Sequence, residues 1–213
     1  MLDFKGAIFD LDGTLIDSMN LWNEVDVDFF ANHNIPMPDN YTKTIAPMGV
    51  YNAALYSKNE FNMAESVEEI IDEWRCLASK KYLEISLKDG AKEYLHYLKD
   101  RGVKLAVATA SEEELFGPLL KKHGVYDLFD NITTLSEVGR GKGFPDIYEK
   151  AAGKMNVKSR ECIVFEDIYL GLKGARDGGF KTVAVSDFAS EKDREKIIEI
   201  CDRFIVSFRE MYE

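Results

Sequence analysis

Cysteine is scarce in this chain: Cys76, Cys162 and Cys201 are three, an odd number at wide spacing with no Cys-x-x-Cys pair. That excludes a disulfide scaffold and the usual thiolate zinc pattern, and it suits buried or idle thiols in a reducing compartment. Proline is scarce too, with five in 213 residues, and neither a low-complexity tract nor an internal repeat is visible. Collagen-like and disordered classes are therefore excluded. No apolar run approaches the roughly 18 residues needed to span a bilayer. The opening MLDFKGAIFDLDGT carries neither a basic leader nor a small-residue cleavage site. A cytoplasmic location and no membrane partner are expected. Positive charge is in deficit, 27 Lys+Arg against 38 Asp+Glu for a net charge of −11. Such a balance repels polyphosphate backbones and argues against a nucleic-acid partner.

What is present is an ordinary folded composition, 46% hydrophobic and 31% charged. At roughly 150 residues per domain, the length predicts one core and one smaller unit. Short, nearly continuous apolar runs at 7–10, 105–109, 132–134, 163–166, 182–185 and 204–206 alternate with helical patterns, as in a parallel sheet buried on both faces. The fold class is α/β. Between residue 17 and about 87 the pattern changes, because helix-like stretches at 18–32, 50–58 and 66–84 follow one another without a strand. Capping boxes are expected at Ser66 with Glu69 and at Ser111 with Glu114. The segment NHNIPMP, 32–38, reads as a turn-rich break, since each proline disfavours helix at the residue before it.

Four places carry candidate chemistry. Phe9-Asp10-Leu11-Asp12-Gly13-Thr14 follows the first apolar run, and residues two apart on an extended chain point the same way, so Asp10 and Asp12 can face one site. Convergent carboxylates repel, and a divalent ion with oxygen ligands, such as Mg²⁺, is the natural counter-charge; the bland alternative is a solvated Asp-x-Asp-Gly turn. Val107-Ala108-Thr109-Ala110-Ser111 ends a buried strand in hydroxyls ahead of a helix whose free amides can bind an anion, although Ser and Thr at such a place are also ordinary helix caps. Gly139-Arg140-Gly141-Lys142-Gly143-Phe144-Pro145-Asp146 is a glycine-rich loop with a lysine able to neutralise an aspartate and a phosphoryl group. It is not a Walker A loop, because Gly143 stands where Ser or Thr is required; Lys142 can equally be a solvated charge. Finally, Val164-Phe165-Glu166-Asp167 runs an apolar strand into adjacent acids, at the end of a parallel strand where open α/β sheets bind ligands.

In that order, the four motifs resemble the haloacid dehalogenase-like superfamily of phosphohydrolases, in the branch of phosphoglycolate phosphatases and β-phosphoglucomutases. The resemblance spans nearly the whole chain: DxDGT at 10–14, Thr109 closing the next core strand, Lys142 in K-x-x-P-D, and Glu166-Asp167 within VFEDIYLGLKGARDGGF, 164–180. It implies a Rossmann-like core at 1–16 and 88–213 with an inserted helical cap at 17–87, hinged near Ile16 and Lys88. It also implies that Asp10 is the nucleophile, Asp12 the general acid/base, Thr109 a phosphate ligand with Ala110 and Ser111 beside it, and Lys142 the neutralising cation. Mg²⁺ would be held by Asp10, the Asp12 backbone carbonyl, Glu166 and Asp167.

Departures from the family refine the expectation. The mutases' cap arginine for a second phosphate falls near Asn52, and their histidine after the first motif falls at Trp22. True dehalogenases of the superfamily carry Tyr where Asp12 stands. The loop APMGVYN, 46–52, has no Arg or Lys, with Lys43 the nearest cation in sequence. The expected function is thus a Mg²⁺-dependent phosphatase acting on a small phosphorylated metabolite through a phosphoaspartyl intermediate, with Met48, Tyr51 or Asn52 touching the leaving group. The alternatives are a β-phosphoglucomutase-like phosphotransferase and a non-catalytic phospho-receiver module, whose motif order fits less well.

Overall fold

The computed structural model describes residues 3–18, 20–45, 48 and 50–212, with the side chain of Lys43 also outside the description. Ala46, Pro47 and Gly49 of the APMGVYN loop therefore lie outside the described residues. The chain divides into two compact units, Met1–Met19 with Ile85–Glu213, and Asn20–Glu84.

The larger unit is built on six strands, β1 (Gly6–Phe9), β2 (Lys104–Thr109), β3 (Asn131–Thr134), β4 (Cys162–Glu166), β5 (Lys181–Val185) and β6 (Arg203–Ile205). All six pair in parallel in the order β3-β2-β1-β4-β5-β6. Every residue of β1 and β4 is buried, which is why these strands read as unbroken apolar runs and not as alternating ones. Alternation survives in which face each residue meets. Ile8, Ala106 and Val164 pack with Ile147, Tyr148 and Ala151 of the helix Asp146–Lys154. Phe9 and Phe165 point the other way, their rings stacked 4.6 Å apart, and the Tyr94 ring meets Phe9 edge-on at 6.4 Å. Chain order reverses direction at β1, between β2 and β4, and the crevice at the carboxyl ends of those strands is where open sheets of this order place ligands.

The smaller unit contains α1 (Leu21–Asn32), α2 (Tyr41–Ile45), α3 (Val50–Glu60) and α4 (Val67–Tyr82). Phe29 of α1 meets Trp74 of α4 edge-on at 5.5 Å, and His33, just past α1, binds Glu73 of α4 at 2.8 Å. The capping box at Ser66 forms: Ser66 Oγ accepts from Glu69 N at 3.2 Å, and Glu69 Oε2 accepts from Ser66 N at 2.7 Å. Sequence reading missed α2, whose five residues are too short to show periodicity.

The remaining helices belong to the larger unit: α5 (Ala91–Asp100), α6 (Glu113–Lys122), α7 (Asp146–Lys154), α8 (Tyr169–Asp177) and α9 (Arg194–Ile200). The expected capping box at Ser111 is not formed. Helix α6 begins at Glu113 behind Glu112, with no side-chain cap, because the Ser111 hydroxyl is engaged elsewhere. Where the chain leaves the core and returns, Ile16 and Leu87 form an antiparallel bridge. Asp17 N donates to Ser86 O at 3.0 Å and Lys88 N to Leu15 O at 2.9 Å. The Lys88 ammonium reaches the buried Asp187 carboxylate at 2.6 Å. No helix among the described residues is long and apolar enough to cross a membrane.

Candidate active site

Asp10 is the first residue beyond β1, and its N–H donates to Phe165 O at 3.0 Å, so the β1–β4 ladder fixes its backbone one step past the strand. The next residues turn sharply: Leu11 O accepts from Thr14, Leu15 and Ile16 N–H groups at 2.9–3.0 Å. Gly13 is required on two counts. Its φ of +83° is strained for any side chain, and a Cβ there would stand 2.5 Å from Asp167 Oδ2. The turn therefore presses the first motif against the fourth.

The structure brings Asp10, Glu166 and Asp167 together, with one ligating oxygen from each within 4.8 Å of the others, all buried. Lys142 is inserted among them. Its ammonium pairs with Asp10 Oδ1 and lies 2.7 Å from Glu166 Oε1. Lys142 is thus no solvated charge, and its side chain is 9% exposed. Two glycines of α8 allow the approach: a Cβ on Gly174 would stand 2.1 Å from Lys142 O, and one on Gly171 would stand 2.2 Å from the Glu166 carboxyl carbon.

Both oxygens of Glu166 accept hydrogen bonds from the protein. Its Oε1 accepts from Lys142 and from the Tyr148 hydroxyl at 3.2 Å, and its Oε2 accepts from the Asp167 and Ile168 N–H groups at 2.9 and 3.0 Å. Asp167 differs. Its Oδ1 accepts from Thr14 Oγ1 at 3.1 Å, while its buried Oδ2 has no hydrogen-bond partner among the described residues.

One ammonium cannot balance three carboxylates out of water, and the proton affinities show it. Burial pushes Asp167 up to about 9, with the Glu166 and Asp10 charges adding to it and Lys142 opposing. Burial likewise lifts Asp10 to about 7, against the pull of Lys142. For Lys142, burial works against the charged form, but the Asp10 and Glu166 carboxylates outweigh it and hold the ammonium above its ordinary value. An acidic cage with oxygen-only donors, excess negative charge and an orphaned carboxylate oxygen fits a hard divalent cation such as Mg²⁺.

Asp12 stands apart from this cage. Its Oδ1 accepts from Ser18 Oγ at 2.7 Å and its Oδ2 from Ser111 Oγ at 2.5 Å. Ser18 lies ahead of α1 and Ser111 ahead of α6, and both hydroxyls donate to Asp12, which is why the expected cap at Ser111 does not form. Thr109 is buried at the end of β2, where its hydroxyl accepts from Ser111 N at 3.1 Å. Ala110 is exposed beside it. In the smaller unit, Met48 is half-buried, Tyr51 and Asn52 are exposed, and Asn52 Nδ2 donates to Met48 O at 3.1 Å. Sequence reading missed Thr14, Ser18, Tyr148 and the two α8 glycines as site residues. The one available signal was glycine inside a helical pattern, which marks close backbone approach.

Comparison with known proteins identifies the family. The family model described as haloacid dehalogenase-like hydrolase matches residues 7–185. The chain is 31% identical over 184 residues to validoxylamine A 7′-phosphate phosphatase of Streptomyces hygroscopicus subsp. limoneus, covering 86% of each chain. It is 25% identical over 193 residues to hexitol phosphatase B of Escherichia coli strain K12, covering 88% of this chain and 86% of that one. In fold it is similar to CbbY from Rhodobacter sphaeroides, solved with phosphate, at a TM-score of 0.77 and 22% identity over 98% of this chain and 96% of the other. With the four motifs gathered at one crevice and the match running across most of its length, the chain belongs to the haloacid dehalogenase-like hydrolase family.

Proposed function

We propose that this protein is a Mg²⁺-dependent phosphatase that hydrolyses a small phosphomonoester, a sugar phosphate or related polyol phosphate, through a phosphoaspartyl intermediate on Asp10. The observation that carries the reading is the Asp10–Lys142–Glu166 arrangement beside the orphaned Asp167 Oδ2. A carboxylate attacking a phosphate dianion must overcome like-charge repulsion. Lys142 is held where it offsets that repulsion and orients Asp10. Asp10, Glu166, Asp167 and the Asp12 carbonyl would hold the ion, which when bound supplies further positive charge on the transferring phosphoryl group.

Asp10 would attack phosphorus as the ester P–O bond breaks, leaving the phosphoryl group on Asp10 and an alkoxide that takes a proton from Asp12. Asp12 would then take a proton from water, whose oxygen attacks the phosphoaspartate and releases inorganic phosphate with Asp10 restored. Ser18 and Ser111 hold the Asp12 carboxyl by both oxygens, which fixes its direction for these transfers. Thr109, Ala110 and Ser111 lie at the strand end suited to the phosphate oxygens, and we assign Met48, Tyr51 and Asn52 of the smaller, cap-like unit to the leaving group.

The relatives named for a validoxylamine 7′-phosphate and for hexitols support a hydroxyl-rich monophosphate. The test is phosphate release from a panel of phosphorylated metabolites, with Mg²⁺ and with excess EDTA. Turnover is expected only with the ion, and Asp10→Asn should abolish it while the melting curve stays cooperative. Wild-type turnover by Asp10→Asn would end the assignment. Faster conversion of β-glucose 1-phosphate to glucose 6-phosphate, with the bisphosphate present, than phosphate release from any monoester would make it a mutase.

A further inference from the structure

We infer that Tyr148 is a positioning residue: by occupying Glu166 Oε1, it keeps that carboxylate from drawing the Lys142 ammonium off Asp10. Its catalytic consequence rests on the phosphatase reading, whereas its structural consequence does not.

Tyr148 sits on the buried face of α7 with no exposed surface, its ring edge-on to Phe180 at 6.2 Å. Phenylalanine would fill that place equally well. A hydroxyl buried there costs free energy unless it finds an acceptor, and the one it finds is Glu166 Oε1, at 3.2 Å. In that contact the phenolic O–H donates and the carboxylate oxygen accepts.

Glu166 has no freedom to turn away. Two backbone N–H groups hold Oε2, and the bare backbone of Gly171 lies against the carboxyl group. Oε1 is consequently a fixed acceptor shared between a phenol and an ammonium, and the same ammonium is shared between Glu166 and Asp10. Each donor on Oε1 spreads its charge and weakens its claim on Lys142. Removing the phenolic hydroxyl leaves Lys142 as the sole donor on that oxygen among the described residues. The ammonium then moves toward Glu166, and the nucleophile loses part of its counter-charge.

The test is Tyr148→Phe in the full chain. With Mg²⁺ supplied, kcat on the best phosphomonoester should fall about tenfold, the scale of one hydrogen bond to a charged group. KM should stay within about twofold, since ground-state binding is untouched. In metal-free, ¹⁵N-lysine-labelled protein, the Lys142 ammonium resonance, assigned by its loss in Lys142→Met, should shift in Tyr148→Phe. An unmoved resonance overturns the inference, as does an unchanged kcat in an active enzyme. If the wild-type protein hydrolyses no phosphomonoester, the proposed function falls and the resonance alone decides whether Tyr148 positions Lys142.

Discussion

At the scale of single residues, the site is set by which atoms have partners. Both Glu166 oxygens accept from the protein, while one buried Asp167 oxygen has no partner among the described residues. Gly171→Ala is the sharpest probe of this packing. Its methyl group would stand 2.2 Å from the Glu166 carboxyl carbon, and a boxed-in carboxylate can yield only by leaving its donors. We expect a loss of roughly 1–3 kcal/mol in denaturant unfolding from overpacking, despite the better helix propensity of alanine. Stability equal to or above wild type would show that Glu166 can move. The acids and the lysine were legible in sequence because their motifs name them. Tyr148 was not, because PDIYEK reads as the start of an amphipathic helix in which a tyrosine is simply a large core residue.

At the scale of elements, two serine-started helices that look alike in sequence separate in structure. Ser66 caps α4 reciprocally with Glu69, whereas Ser111 gives its hydroxyl to Asp12 and α6 begins without it. Ser66→Ala should therefore cost about 1 kcal/mol of stability with little effect on turnover. Ser111→Ala should do the reverse, lowering kcat while leaving the unfolding midpoint nearly unchanged. A stability loss at Ser111 as large as that at Ser66 would restore the capping reading. The sequence pattern S-x-x-E is identical in both places, and only the presence of a carboxylate from a distant turn decides between them. The four inner strands, β2, β1, β4 and β5, were legible for the opposite reason. Burial on both faces leaves a continuous apolar signal that no tertiary partner can redirect, as Ala7-Ile8-Phe9 and Ile163-Val164-Phe165 show. The five-residue α2 carried no such signal.

At the scale of the whole molecule, the uncompensated acids couple stability to pH. Asp167 and Asp10 have folded-state proton affinities raised from 3.8 to about 9 and about 7. Between the unfolded and folded values the native state binds more protons than the unfolded one, so stability falls as pH rises through that window. In EDTA, the melting temperature should decline from about pH 5.5 toward pH 9. Mg²⁺ should remove most of the decline and release protons on binding, measurable as a buffer-dependent heat of titration. Parallel melting curves with and without the ion would separate the acids from metal binding.

The short antiparallel ladder of Ile16 and Asp17 with Ser86 and Leu87 has a further consequence. Paired strands run about 5 Å apart, so the segment between these crossings begins and ends almost at one point on the core. Bridging that point needs only a tight turn, and Lys88 remains tied to Asp187 whatever the intervening segment is. The ladder works as a socket into which segments of quite different length can be spliced without disturbing the sheet. Replacing residues 20–84 with a short glycine-serine loop should leave a core that melts cooperatively. In heredity as in engineering, that geometry lets the inserted unit be exchanged wholesale while the sheet and its strand ends stay put.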